Sequence, residues 1–201
     1  MKKYFLFPLL VLFLTACGDL EEFNENPNAP SIDQASPELI LPKILYEVGN
    51  HVTADLGWGT GNVIMQLVAT NNFTGTDRYL LGSYGGTWNA MYRNARDGQN
   101  VSDLGERLGN PNYEAIGLVL KAYCLQYLTE MYGDVPYTNA LDGKTDGEFQ
   151  PSYTPQAEVY QGLLADYATA ADLFNTTVPV SGDILFNGDI EKWIKFTNGL
   201  R

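Results

Sequence analysis

The chain has 201 residues, of which 45% are hydrophobic and 12% aromatic, a composition typical of a globular protein and not of a disordered one. It carries 12 Lys and Arg against 24 Asp and Glu, a formal net charge of −12, which argues against nucleic-acid binding because that rests on cationic contacts to phosphate. Cys17 and Cys124 are the only cysteines and His51 is the only histidine, so a disulfide framework, a Cys/His zinc site and a Ser-His-Asp triad are all disfavoured.

The N-terminus has the parts of a bacterial lipoprotein signal. Two lysines at positions 2 and 3 precede an apolar run over residues 4–13, which is shorter than the ~20 residues of a membrane-spanning helix and fits a signal peptide. Residues 14–17 read Leu-Thr-Ala-Cys, which is similar to a lipobox. This pattern predicts cleavage before Cys17 and acylation of that cysteine. The alternative is an ordinary signal peptide with a chance cysteine at its end.

Three segments follow from this interpretation. Residues 1–16 are the signal peptide, residues 17–36 are the lipidated cysteine and an acidic, Asn- and Pro-rich tether, and residues 37–201 are a helical domain. Cleavage would remove the lysines at positions 2 and 3 and leave 10 basic against 24 acidic residues. The mature protein would therefore be soluble and repelled by anionic lipid surfaces, apart from its anchor.

The first helix is predicted to begin at Ser36-Pro37-Glu38. Serine is a good N-cap, proline fits the first helical position, and a glutamate there favours the positive end of the helix dipole. Ile40, Ile44 and Val48 would line its inner face. Pro42 is a complication, because proline inside a helix can move the true start one turn later.

The next region combines glycines, a short apolar pattern and an irregular stretch. Residues 57–61 read Gly-Trp-Gly-Thr-Gly and are predicted as a loop, but not as a phosphate loop, since the Lys-Ser/Thr ending is missing. Ile64, Leu67 and Val68 suggest a second helix. Residues 71–86 are polar and aromatic without a clear period.

Two strong helices are predicted next, over residues 87–108 and 113–132. The second keeps the helical period for four turns and is apolar nearly all round, which indicates a helix buried inside an all-helical protein. Gly133 is expected to end it. Cys124 lies within it and is predicted to be a small core residue.

The C-terminal part is predicted as a loop over residues 142–150 and two further helices, one opened by Thr154-Pro155 and one starting near Asp189. The loop resembles a calcium loop only superficially, because Lys144 and Tyr153 occupy ligand positions. The first of these helices should bury the apolar residues on one face, namely Val159, Tyr160, Leu163, Leu164, Tyr167, Ala171 and Phe174. No long strand pattern is visible, and we expect the sequence to be a fragment of a longer protein.

Five segments stand in a recognisable order. They are the lipobox, Asn-Glu-Asn-Pro-Asn at 24–28, Tyr-Gly-Asp-Val-Pro-Tyr at 132–137, the helix over 159–173, and the segment 183–200. Their order and spacing resemble the SusD/RagB family of outer-membrane nutrient-binding lipoproteins, although Tyr167 and Gly199 depart from the family's usual leucine and serine.

This resemblance implies an all-α fold of tetratricopeptide-like helix pairs with long ligand-facing loops. It also implies a lipid-anchored outer-membrane protein, facing the exterior, that delivers starch, another oligosaccharide or peptide to a TonB-dependent SusC-like transporter. It implies no catalysis, and no cofactor or metal site is predicted. Because sugars need aromatic faces together with polar groups, candidate ligand residues come from the irregular stretch and its border. They are Asn72, Asp77, Arg78, Tyr79, Tyr84 and Trp88.

Several alternatives stay open. Trp88 and Tyr92 fit a helix core as well as a ligand site. The whole chain could instead be a helical-repeat scaffold that binds only protein. A surface glycoside hydrolase is a third possibility, since many carboxylates are present and such an enzyme needs only two opposed ones.

Overall fold

The computed structural model describes residues 35–144, 147 and 150–201. The predicted signal peptide, the lipidation site Cys17 and nearly all of the tether lie outside the described residues. So do positions 145–146 and 148–149 of the predicted 142–150 loop. The compact unit described below runs from Ser36 to Arg201.

The described part is all-α, as predicted. Its five longer α-helices are α1 (Pro37–Asn50), α2 (Gly85–Leu108), α3 (Pro111–Tyr132), α4 (Gln156–Leu173) and α5 (Ile190–Leu200). The strands are two residues each, β1 (Val135–Pro136) and β2 (Tyr153–Thr154), paired antiparallel with Val135 opposite Thr154. Single 3₁₀ turns occupy Thr76–Arg78 and Asp142–Lys144. No helix of the described residues is long and apolar enough to cross a membrane.

Helix α1 begins at Pro37, so Pro42 does not delay its start and lies inside the helix. Pro42 has no N–H to donate to the carbonyl of Glu38 four residues earlier. The backbone of Gly182 packs against that carbonyl, and a Cβ at Gly182 would lie closer than 3.0 Å to it. Ser36 stands at the N-cap but makes no side-chain capping bond.

The loop predicted over 57–61 is wrong, because His51–Gly61 forms a π-helical continuation of α1. Glycines stop a helix when one of them adopts a left-handed conformation, and none of the glycines in this stretch has a positive φ. The second helix predicted around Ile64 is also wrong. It shrinks to the turn Asn62–Ile64, and Leu67 is 73% exposed, so its apolar pattern faces solvent instead of a core.

Helices α2 and α3 form a tightly packed antiparallel pair joined by two residues. Gly109 ends α2 with φ of +68°, and Asn110 caps α3 by accepting a hydrogen bond from the Asn112 N–H at 3.1 Å. Glycines at the crossing allow close approach of the backbones, since a Cβ at Gly105 or Gly117 would come closer than 3.0 Å to the partner backbone. The α2 and α3 predictions are therefore confirmed.

The segment after α3 connects α3 and α4 through hydrogen bonds. Gly133 ends α3 with φ of +78°. The Asp134 carboxylate accepts from the N–H of Gln156, the first residue of α4, at 2.9 Å, and the Gln156 side chain donates to the Thr129 carbonyl at 2.6 Å. The Tyr-Gly-Asp-Val-Pro-Tyr motif thus fixes where α4 begins relative to the end of α3.

Helix α3 lies at the centre of the core, and Cys124 is fully buried there, as predicted. Helix α4 starts where predicted, but its buried face is Val159, Leu163, Tyr167 and Ala170. Leu164, predicted to face inward, is 44% exposed. The helical period is compatible with burial of either Leu163 or Leu164, and packing against α3 buries Leu163.

Candidate functional site

An open groove of about 1170 Å³ runs between α2 and the segment that connects β1 to β2. Side chains of α2 form one wall, and the other is formed by Ala140, Leu141, Gly143 and Pro151. The lining residues are Trp88, Asn89, Tyr92, Arg93, Arg96, Asp97, Asn100, Ala140, Leu141, Gly143 and Pro151. The volume is above the roughly 300–1,000 Å³ of usual small-molecule pockets, which suits an extended ligand.

Aromatic rings gather at one end of this groove. The Trp88 indole lies 5.0 Å from the Tyr92 ring, 5.1 Å from the Tyr132 ring and 6.2 Å from the Tyr153 ring, measured between centroids. Trp88 and Tyr153 are inclined by only 29°, and Tyr153 is 64% exposed. Tyr153, stacked on the half-buried Trp88, therefore offers a flat aromatic surface to solvent beside the groove.

The aromatic end is fixed by hydrogen bonds from two phenols. Tyr92 donates to the Pro136 carbonyl at 2.7 Å, and Tyr132 donates to the Tyr84 carbonyl at 2.7 Å. Burial raises the pKa of Tyr92 far above its ordinary value, so its hydroxyl stays a donor at all physiological pH values. These bonds hold the rings around Trp88 in place before any ligand arrives.

A polar stripe continues along α2 from the aromatic end. Asn89, Arg93, Arg96 and Asn100 are all exposed and line the groove. Their spacing of four, three and four residues places them on one face of the helix. Amide and guanidinium groups on this face can donate hydrogen bonds to hydroxyl or acidic groups of a ligand.

Asp97 is the only acidic residue among the described residues that line the groove. Its Oδ2 lies 2.6 Å from the Lys43 ammonium, and that hydrogen bond raises the pKa of Lys43. A glycosidase requires two opposed carboxylates, and the described lining provides one, already engaged by Lys43. The described residues also contain no group of three His, Cys, Asp or Glu side chains that could hold a metal ion.

The predicted ligand residues divide into two sets. Trp88 lines the groove, and Tyr84 supports it by receiving the Tyr132 hydrogen bond at the start of α2. The others do not line it; they lie before α2, and they are Asn72, Asp77, Arg78 and Tyr79.

Two residues of this second set, Asp77 and Tyr79, make hydrogen bonds to residues close to them in the sequence. Asp77 accepts hydrogen bonds from the backbone N–H and the hydroxyl of Thr70. The Tyr79 hydroxyl donates to the Ile64 carbonyl at 3.2 Å and accepts from Gln66. These bonds hold the irregular stretch together. A ligand role for the four residues stays a prediction.

Most of the polar wall and the ring of Tyr153 were not among the predicted ligand residues. Asn89, Arg93, Arg96 and Asn100 follow the helical period opposite the buried Met91, so that stripe was readable from the sequence. Tyr153 was not, because it reaches Trp88 only through the pairing of β2 with β1.

Comparison with known proteins gives a clear family match. The family model described as "Starch-binding associating with outer membrane", SusD-like, matches residues 27–201. A comparison with curated proteins finds no match.

Several solved structures share the fold. A SusD homologue from Bacteroides fragilis is 26% identical with a TM-score of 0.63, and the match covers 83% of this chain and 34% of that one. A SusD/RagB family protein from Bacteroides thetaiotaomicron is 18% identical with a TM-score of 0.65, over 83% and 37% of the two chains. A chitin-binding protein is 24% identical with a TM-score of 0.57, over 83% and 37%. The chain spans about a third of the length of these structures.

Proposed function

The chain belongs to the SusD-like family, and we propose that it is the part of an outer-membrane nutrient-binding protein that holds oligosaccharide in the groove beside α2. The observation that carries this proposal is the exposed Tyr153 ring stacked on the half-buried Trp88, next to the polar stripe of α2. Sugar rings have apolar C–H faces and polar edges, so they need both kinds of surface at once.

Binding without hydrolysis is the chemistry that these residues support. The rings and the polar stripe can position a chain of sugars, while Asp97 is the single described carboxylate at the groove and is engaged by Lys43. Starch is one ligand within this proposal, in line with the description of the family model. Other oligosaccharides fit the same combination of rings and donors.

Attachment to the membrane is the second part of the proposal. The lipobox-like residues 14–17 support acylation of Cys17 and a tether through residue 36. Each buried methylene of a lipid chain contributes about 0.8 kcal/mol, so several chains on one cysteine give a lasting anchor. We further propose that the anchored protein faces the exterior and passes its ligand to a TonB-dependent, SusC-like transporter.

The glycan proposal is tested by screening the intact protein against soluble oligosaccharides of α-glucan, β-glucan, chitin and uronic-acid type. Saturable binding of at least one class supports it. Failure of every class, with the protein folded by circular dichroism, overturns it.

The anchor and transporter proposal needs a different experiment. The intact protein is purified from its own membranes after growth with labelled palmitate, together with a Cys17→Ser control. Label on the natural protein only, with a large TonB-dependent barrel in the eluate, is the expected result. An unlabelled protein that retains residues 1–16 overturns the anchor, and a labelled protein without a barrel overturns the transporter.

A further inference from the structure

Resting on the proposed function, we propose that the groove selects glycans that carry negative charge, as carboxylate or sulfate groups. Arg93 and Arg96 are the residues that bind those groups. The chain has a net charge of −12, yet the polar wall of its groove carries two arginines.

Both arginines are exposed. Neither guanidinium makes an ion pair or a hydrogen bond to any residue of the described chain. The acidic residue beside them, Asp97, is bound to Lys43 at 2.6 Å, so it does not neutralise them. Two like charges three residues apart on a helix repel each other weakly, and an anionic ligand would relieve that repulsion.

Three lysines of the described helices differ from the two arginines, because each is paired with a carboxylate. Lys43, Lys121 and Lys192 each lie within 4.0 Å of a carboxylate, that of Asp97, Asp166 and Asp189 respectively. In a chain with twice as many acidic as basic residues, pairing is the expected state of a cation. Among the described residues Lys195 of α5 also makes no ion pair, but it lies outside the groove, whereas Arg93 and Arg96 line it.

The placement of the arginines suits an extended ligand. The stripe from Asn89 to Asn100 covers twelve residues of helix, a rise of about 16.5 Å at 1.5 Å per residue, and the arginines are at its middle. The rings of Trp88 and Tyr153 lie at one end. A chain of several sugars can therefore stack at that end while acidic groups further along reach the guanidinium groups.

Arginine is also the appropriate residue for this chemistry. Its planar guanidinium donates two parallel hydrogen bonds to a carboxylate or an oxyanion of sulfate, and it stays charged at every physiological pH. A neutral hydroxyl group can accept a hydrogen bond from the guanidinium, but it offers neither the paired acceptor oxygens nor the opposite charge. The groove should therefore prefer uronic-acid or sulfated chains to neutral chains of the same length.

The test measures affinities of the intact protein by isothermal titration calorimetry for oligogalacturonate, heparin-derived oligosaccharide, maltoheptaose and cellohexaose. At least one of the two anionic probes should bind about tenfold or more tightly than either neutral one, and which of them binds distinguishes carboxylate from sulfate. This preference should weaken at high salt, because screening shortens the reach of the charges. In the double variant R93Q/R96Q the anionic-to-neutral ratio should fall close to one.

A matched control removes the same charge elsewhere. Lys192 and Lys195 are exposed and three residues apart on α5, outside the groove, so K192Q/K195Q should keep the preference. A preference that survives R93Q/R96Q, or that is lost equally in the control, overturns the inference. Binding of neutral glycans with no anionic preference also overturns it and leaves the proposed function standing. Failure of all four probes overturns the inference, while the wider glycan screen, which includes chitin, decides the proposed function.

Discussion

The Asp183 carboxylate accepts a hydrogen bond from the indole Nε1 of Trp193 at 2.9 Å. Both side chains are buried, Asp183 to 5% exposure and Trp193 completely. The same carboxylate accepts three backbone N–H bonds, at 2.9–3.1 Å, from Leu185, Phe186 and Gly188. One acidic side chain therefore shapes the turn before α5 and attaches that helix to the core.

Replacing Asp183 should destabilise the protein strongly. Asp183→Ala leaves four donors without their acceptor in a buried place and should cost about 3 kcal/mol of unfolding free energy. Asp183→Asn keeps the shape and one acceptor oxygen and should cost less. Denaturant unfolding of the intact protein measures both. Asp172→Ala, at an exposed position of α4, is the control, and an equal effect of Asp172→Ala and Asp183→Ala would contradict this account.

The close crossing of α2 and α3 predicts opposite effects of two glycine-to-alanine changes. A Cβ at Gly117 would come closer than 3.0 Å to the backbone of Ser102, whereas a Cβ at Gly49 meets nothing within 4 Å. Gly117→Ala should lower stability by about 1–3 kcal/mol. Gly49→Ala, in α1, should raise it by up to about 1 kcal/mol through helix propensity. Thermal unfolding decides, and a Gly117→Ala protein as stable as the natural one would show that the helices are not in contact there.

The Cys124 thiol should be inert in the folded protein. It is fully buried in α3, and burial raises its pKa far above the ordinary value, so almost no thiolate forms near neutral pH. A thiol-reactive dye at pH 8 should label it only after denaturation. Rapid labelling of the native protein would mean that α3 is not at the centre of the core.

Alkaline solutions should destabilise the protein partly through Tyr137. Burial, with the nearby Asp166 carboxylate, raises the pKa of Tyr137 to about 12. A raised pKa means that the folded state favours the protonated phenol, so this contribution is present below about pH 10 and is lost as the pH rises toward 12. Tyr137→Phe should reduce the slope of stability against pH in that window by up to about 1.4 kcal/mol per pH unit. An unchanged slope would contradict the burial of this phenol.

The sequence predicted the parts of the fold that depend on local patterns. Helices α2 and α3 were found almost to the residue, since their apolar periods and the stop at Gly133 are encoded locally. The helix predicted around Leu67 was wrong, because an apolar helical pattern is stabilised only when its apolar face packs on another surface. Here Leu67 faces solvent.

The candidate site was only partly predictable for the same reason. Trp88 was identified because it lies beside an aromatic, polar stretch of sequence. Its ring partners Tyr132 and Tyr153 are distant in sequence and meet it only in the folded chain. The residues before α2, such as Arg78, were predicted from their aromatic and polar composition and from their position in the chain, and they do not line the groove.

The most direct test of the central claim is the glycan affinity of a matched pair of tyrosine variants of the intact protein. Tyr153 and Tyr46 are similarly exposed, at 64% and 66%, but only Tyr153 stands beside Trp88; Tyr46 lies on α1. For a glycan that binds the natural protein, Tyr153→Ala should weaken binding about tenfold, equivalent to about 1.4 kcal/mol, and Tyr46→Ala should leave it unchanged. Equal affinities for both variants and the natural protein would show that sugars do not bind on the Trp88–Tyr153 surface.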